Sequence, residues 1–248
     1  MSEGILPVRG DGRQSDELRP VSFVRGFLGH AEGSVLVSFG ETKIVCSATV
    51  EDKVPAFLRG SGRGWVTAEY GMLPRSTSVR MQRFGPRGGP ASRSTEIQRL
   101  VGRSLRACVD MNALGERTVT VDCDVINADG GTRTAAVSGG FVALYDALAF
   151  LREKGIFPEI PIKFFISAVS VGLVGGTPLL DLCYDEDSAA GVDMNVVMNH
   201  RGEYVEIQGT GEGSVFSSSQ LSDLLALAAK GTARIIGLQK EALEIAGS

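Results

Sequence analysis

Runs of strand-forming residues give way to helix, and the chain does this in both halves. In the first half, Val21 to Leu28, Ser34 to Phe39 and Lys43 to Val50 are rich in Val, Ile, Phe and Thr, whose branched or aromatic side chains suit a pleated surface, and Gly64 to Leu73 reads as a further strand that ends at Pro74. Gly40-Glu41-Thr42 predicts a hairpin between the second and third of these. A helix is expected from Ser94, which caps it ahead of Glu96 and Ile97, to about Leu114. Its apolar residues Ile97, Leu100, Val101, Leu105, Cys108 and Val109 recur with the 3.6-residue period of a helix that buries one face. A strand from Arg117 to Ile126, a Gly130-Gly131 turn and a second helix from about Thr134 to Glu153 follow, with Gly139-Gly140 permitting close packing. After Gly155 and Pro158 the pattern restarts. Strands are expected at Lys163 to Val174, Pro178 to Cys183, Ala190 to Val197 and Tyr204 to Gln208, then a helix from about Ser219 to Ile245. The reading is an α/β chain forming one domain over 1–248, with two pseudo-repeated halves at about 1–155 and 156–248.

Several function classes are disfavoured at this level. No segment approaches the run of about 20 apolar residues that a membrane span requires, and the most apolar stretch, Val137 to Leu151, is interrupted by Asp146. Met1 to Gly12 carries Glu3 and has no apolar signal core, so a cytoplasmic protein without membrane association is expected. Cys46, Cys108, Cys123 and Cys183 lie scattered in apolar segments without zinc-site spacing, which predicts reduced and mostly buried thiols. His30 and His200, the only histidines, sit beside turn residues and predict solvent-facing side chains rather than a Ser-His-Asp arrangement.

The net charge of −4 argues against a nucleic-acid partner, but the distribution of charge points the other way. Ten arginines and no lysine fall between Arg59 and Arg106, against Glu69 and Glu96 alone on the acidic side. Within this window, Arg75 to Ser92 lacks periodicity and reads as a long basic loop containing Arg80, Arg83 and Arg87. Arg99, Arg103 and Arg106 share one flank of the helix that follows; alone, that stripe reads first as a solvated face.

Three segments carry residues suited to chemistry. Gly130-Gly131-Thr132-Arg133-Thr134 joins a strand to a helix, so helix-start N–H groups, Thr hydroxyls and a guanidinium can converge on an anion. It reads equally as a tight turn capped by Thr, and it lacks the GxxxxGK[ST] pattern of a nucleotide-triphosphate loop. Arg93 precedes another expected helix start and offers a second guanidinium to the same kind of ligand. Asp181, Asp187 and Asp193 approach one another if the chain stays extended from Asp181 and turns at Asp185, and clustered carboxylates suit Mg²⁺; otherwise the segment is a solvated acidic turn. Glu206 to Gly213 has the spacing of a nucleotide loop, but Glu212 disfavours phosphate and a tight turn is expected.

Taken together, the motifs resemble ribonuclease PH: ELRP (Glu17 to Pro20), WVTAEYGMLPRST (Trp65 to Thr77), EIQRLVGRSLRA (Glu96 to Ala107), DCDVINADGGTRTAA (Asp122 to Ala136), LDLCYDEDSAA (Leu180 to Ala190), VDMNVV (Val192 to Val197) and VEIQGTGEG (Val205 to Gly213). The resemblance implies the RNase PH fold, a ribosomal-S5 domain-2-like duplicated β-α arrangement, assembled as a homo-hexamer, a trimer of dimers. It implies a phosphate-dependent 3′→5′ exoribonuclease that trims tRNA precursors and other RNA 3′ ends, with inorganic phosphate as co-substrate and Mg²⁺ or another divalent ion as cofactor. Carried over by motif, Arg93, Gly131, Thr132 and Arg133 bind phosphate, Asp181 and Asp187 are the catalytic acids, and Asp181, Asp187 and Asp193 hold the metal. Arg80, Arg83, Arg87 and Arg99 meet RNA. This chain departs from the family's usual pattern at Ser78, where His is common, and at Ser92-Arg93-Ser94, where Gly-Arg-Thr is common; Arg93 itself is retained. Rival readings are a non-catalytic RNA-binding subunit of an exosome-like ring, and a hydrolytic nuclease with two metals, which has no need of Gly131-Thr132-Arg133.

Overall fold

Side chains that alternate between core and surface build the first sheet. β1 (Val21–Arg25), β2 (Gly33–Phe39), β3 (Thr42–Glu51), β4 (Trp65–Met72) and β5 (Thr118–Asn127) form a five-stranded sheet in the order β1-β2-β3-β5-β4. In β3, Thr42, Ile44, Cys46 and Ala48 point inward while Lys43, Val45 and Ser47 point outward, the period of two that a half-buried strand requires. Gly40, at φ 56°, and Glu41 close the expected hairpin, with Phe39 opposite Thr42. β4 and β5 run parallel, joined through α1 (Ser92–Cys108), so the strand carrying Tyr70 lies on the sheet edge beside the strand that leads into Gly130.

This computed structural model describes residues 9–82 and 92–245, so the predicted RNA contacts Arg83 and Arg87 lie outside the described residues. The helix expected to run unbroken to Leu114 stops at Cys108. Val109 leaves it to bridge Ile162, and Asp110 opens the short α2 (Met111–Leu114), its Oδ1 accepting from the N–H groups of Asn112 (2.9 Å) and Ala113 (3.2 Å).

The second half forms an antiparallel sheet in the order β7-β6-β8-β9, from β6 (Ile166–Val174), β7 (Thr177–Leu180), β8 (Val192–Asn199) and β9 (Tyr204–Gly211). The strand expected to reach Cys183 ends at Leu180, and Tyr184–Ala189 forms a helix, α4, where an extended chain and a turn are expected from sequence. α5 (Ser218–Ala242) closes the chain against β6, β7 and β1, its start capped by Ser217. The long α3 (Thr132–Glu153) touches both sheets, and one continuous core of buried side chains runs through both halves.

α3 corrects one expectation: by length and composition it is apolar enough to cross a membrane. The structure shows where that apolarity goes, since 72% of its most apolar window is buried inside the protein. A helix apolar on every side belongs in a core. His30 and His200 are exposed, and Cys46, Cys108 and Cys123 are buried free thiols, as expected; Cys183 is half-buried.

The Gly139-Gly140 pair sits where α3 crosses the first sheet. A Cβ on Gly139 would lie 2.5 Å from Val37 Cγ1 and 2.9 Å from Cys46 Sγ, whereas one on Gly140 would meet Val121 Cγ1 at 3.3 Å. Gly139→Ala is therefore expected to lower stability by about 1–2 kcal/mol, because overpacking outweighs the gain in helix propensity, and Gly140→Ala to change it little. Chemical denaturation of the two variants checks this, and equal effects would contradict the packing difference.

Candidate active site

The turn from Asp129 to Arg133 is shaped by two consecutive glycines. Gly130 and Gly131 have φ of 74° and 64°, a conformation that side-chain-bearing residues rarely adopt, and a Cβ on Gly130 would sit 2.5 Å from the Leu182 carbonyl oxygen. The turn thus lies flat against the acid-bearing segment. Thr42 fastens it from β3, its hydroxyl donating to the Gly130 carbonyl (2.6 Å) and accepting from the Asp129 N–H (2.9 Å). α3 then begins at Thr132, two residues earlier than expected, with Gly131 as its left-handed N-cap. The N–H groups of its first turn have no partner within the helix, so they are available to an anion. Thr132 is nearly buried, and its hydroxyl oxygen accepts a 3.0 Å bond from Tyr70 Oη.

Arg133 projects from this first turn, with Nη1 3.3 Å from Glu96 Oε1 on α1. Arg93 lies inside the first turn of α1, which starts at Ser92, rather than just ahead of it. Two helix starts, each bearing an arginine, therefore open on one cavity of about 580 Å³ lined by Arg93, Gly131, Thr132, Arg133, Asp187 and Asp193. The expected phosphate-binding residues converge.

The acid side is only partly as expected. Asp187, in α4, and Asp193, at the start of β8, both line the same cavity, close enough to Arg93 and Arg133 to feel their charge. Asp181 does not approach them. Its side chain is 0% exposed, and both oxygens are engaged by Arg19: Oδ2 accepts from the Arg19 main-chain N–H (2.8 Å) and Nε (3.0 Å), Oδ1 from Nη2 (2.7 Å). Because the chain leaves extended backbone at Leu180, Asp181 turns inward at φ 54° instead of continuing toward the cavity.

Burial raises the Asp187 carboxyl above its ordinary value despite the opposing pull of Arg93 and Arg133. Asp193 is pushed up to about 6, by burial first and then by the negative charge of Asp187. A carboxyl group whose pKa is raised on folding holds its proton more tightly in the folded state, so its contribution to stability falls as pH climbs from about 4 to about 6. Asp193→Asn is accordingly expected to raise stability by about 1–3 kcal/mol near pH 8 and by much less below about pH 4. Thermal unfolding in a chelating buffer at the two pH values checks this; an equal effect at both would contradict it.

The same repulsion bears on a divalent ion. Among the described residues no group of three or more His, Cys, Asp or Glu side chains is gathered as a metal site. Mg²⁺, however, commonly takes one or two carboxylates and completes its shell with water and substrate phosphate. Asp187 and Asp193 fit that role, since an ion would relieve the repulsion between them; Asp181, fully buried against Arg19, does not line the cavity.

Beyond the cavity, Arg80 and Arg99 are exposed, but the arginine stripe of α1 divides in use. Arg103 forms a two-pronged ion pair with Glu206 on β9 (2.5 Å and 3.2 Å), and Arg106 stacks over Trp65 while donating to the Val66 carbonyl (2.8 Å). Both are structural.

Sequence reasoning missed Thr42, Tyr70, Arg19 and Tyr184. Tyr184 is 63% exposed and lines the cavity. Arg19 lies in ELRP, and Tyr70 and Tyr184 in two further family motifs, so the signal was present without a role attached.

The chain resembles solved structures over nearly its whole length. Rice (Oryza sativa) Rrp46 matches with a TM-score of 0.77 at 19% identity, covering 95% of this chain and all of that one. The Archaeoglobus fulgidus exosome with RNA bound to the active site matches at 0.79 and 23% identity, covering 92% of this chain and 91% of that one. An archaeal exosome core matches at 0.72 and 22%, covering 94% and 90%. These similarities establish a common fold. The family models for domain 1 and domain 2 of the 3′ exoribonuclease family match residues 17–149 and 165–231. With both of its domains matched in order along one α/β chain, the protein belongs to the 3′ exoribonuclease, or RNase PH, family.

Proposed function

We propose that this protein is a phosphorolytic 3′→5′ exoribonuclease that trims tRNA precursors, acting as a homo-hexamer and releasing nucleoside diphosphates. The observation that carries the reading is the one cavity that gathers Arg93 and Arg133, at two helix starts, with Asp187 and Asp193. A site built only to hold RNA needs the positive side alone. A hydrolase attacks with water and so needs no anion site at the start of α3 for its nucleophile.

The chemistry asked of these residues is positioning and charge neutralisation. Arg93, Arg133 and the N–H groups at Gly131 to Arg133 hold inorganic phosphate, whose oxygens take forked bonds from guanidinium. One phosphate oxygen attacks the terminal phosphodiester in line, the bond to the penultimate 3′ oxygen breaks, and that oxygen takes a proton. Asp187, held protonated more readily than an ordinary aspartate, lines the same cavity and serves as the proton source. A divalent ion held by Asp193 and by the oxygen of Asp187 that does not carry the proton would neutralise charge on the phosphoryl oxygens. Tyr184 offers the terminal base a stacking face that accepts any sequence, and Arg80 and Arg99 provide charge for the RNA backbone.

Exchanging one phosphate bond for another leaves the reaction near balance, so the reverse direction is a direct test. With a short RNA and excess nucleoside diphosphate, the protein is expected to lengthen the RNA 3′ end and release inorganic phosphate. Absence of extension, together with RNA retention, would favour the non-catalytic ring subunit instead.

A further inference from the structure

Three arginines near the beginning of the described chain are almost fully buried, and all three converge on the segment that carries Asp187. Arg9 donates from Nη1 to the Leu180 carbonyl (2.7 Å) and from Nη2 to the Asp181 carbonyl (3.0 Å), and it grips both oxygens of Glu186 (2.6 Å and 2.5 Å). Arg13 donates from Nη1 to the Asp181 carbonyl (3.0 Å). Glu186 in turn accepts from the Cys183 N–H (2.9 Å), closing the first turn of α4 one residue ahead of Asp187.

Arg19 reaches in two directions. Besides holding both oxygens of Asp181, its Nη1 donates to the carbonyl of Asp129, in the turn that cradles the anion. Its Nη2 lies 3.0 Å from where a Cβ on Gly131 would stand. Asp129 returns the link by accepting from the Tyr184 N–H through Oδ1 (3.2 Å). A buried ion pair is a weak source of net stability, because desolvation offsets the attraction. Its rigid, planar geometry is another matter: one guanidinium ties the phosphate turn to the acid turn, and Asp181 keeps a left-handed backbone that only firm surroundings sustain.

We propose that Arg19, supported by Arg9 and Arg13, is a positioning residue that fixes the phosphate turn relative to Asp187, and that Asp181 is its buried anchor rather than a group that meets substrate or ion. The inference rests on the phosphorolytic reading and deepens it. A lysine at position 19 keeps the charge beside Asp181 but cannot span two carboxylate oxygens and the Asp129 carbonyl at once.

The test compares the native protein with Arg19→Lys, Asp181→Asn and Asp187→Asn by steady-state phosphorolysis, amide hydrogen exchange and Mn²⁺ titration without RNA. Arg19→Lys is expected to lower kcat about 10–100-fold while both KM values stay within about threefold, since a misplacement near 1 Å costs rate more than binding. Exchange should quicken at 128–133 and 181–187 and stay native elsewhere. Asp181→Asn should bind Mn²⁺ within about threefold of the native protein, whereas Asp187→Asn should bind it at least about tenfold more weakly. A native kcat in Arg19→Lys, or Mn²⁺ loss in Asp181→Asn equal to that in Asp187→Asn, would overturn the inference. If the native protein fails to phosphorolyse RNA, the functional reading falls, while unchanged exchange in Arg19→Lys would separately sink the bridge.

Discussion

Asp187→Asn should reduce phosphorolysis by about 10²–10⁴-fold at saturating phosphate and Mg²⁺, the range lost when a positioned proton donor is removed. The substitution keeps the size of the side chain and removes a carboxyl group that sits half-buried in the cavity wall, so the fold should survive. RNA binding should hold or tighten, because a negative charge facing the phosphodiester has gone. Single-turnover cleavage of a 3′-extended RNA separates the two effects. Native turnover in this variant would remove Asp187 from the chemistry and leave Asp193 and Glu212 as the acids of the cavity nearest to it.

Arg133→Ala should instead raise the KM for inorganic phosphate about 10–100-fold, as expected for loss of a charge-assisted hydrogen bond worth about 1.5–3 kcal/mol, with a smaller effect on kcat. Arg133 is held by two long contacts to a half-exposed Glu96 (3.3 Å and 3.4 Å), so it can turn to an incoming anion at little cost. Arg133→Lys should fall between, since it restores charge without the two-pronged geometry. Phosphate titration at fixed RNA checks this. An unchanged KM for phosphate would mean that the anion binds elsewhere.

What could be read from the sequence divides along a physical line. Local signals were legible: the Gly40-Glu41 hairpin, the period of two in β3, the Gly130-Gly131 turn and the start of α5 all express short-range preferences. Features set by contacts far along the chain were not. α1 ends early because Val109 finds Ile162 across the fold, and α4 forms because Glu186 is gripped by Arg9, 177 residues away. Both override the local pattern. The phosphate side of the site was readable because Gly131, Thr132 and Arg133 are adjacent, and Arg93 stands beside a helix start. The acid side misled at Asp181, whose spacing from Asp187 suits a shared ion, yet whose direction is decided by Arg19. A buried arginine must find a carboxylate, but sequence alone does not say which one.

If the anion cradle facing Asp187 delivers phosphate to an RNA end, the identity of the released nucleotide must depend on phosphate. The most direct measurement incubates the purified protein with a 3′-extended tRNA precursor and Mg²⁺, with and without inorganic phosphate, and identifies the released nucleotides. Nucleoside diphosphates that appear only when phosphate is present are the predicted result; nucleoside monophosphates released without regard to phosphate would contradict it.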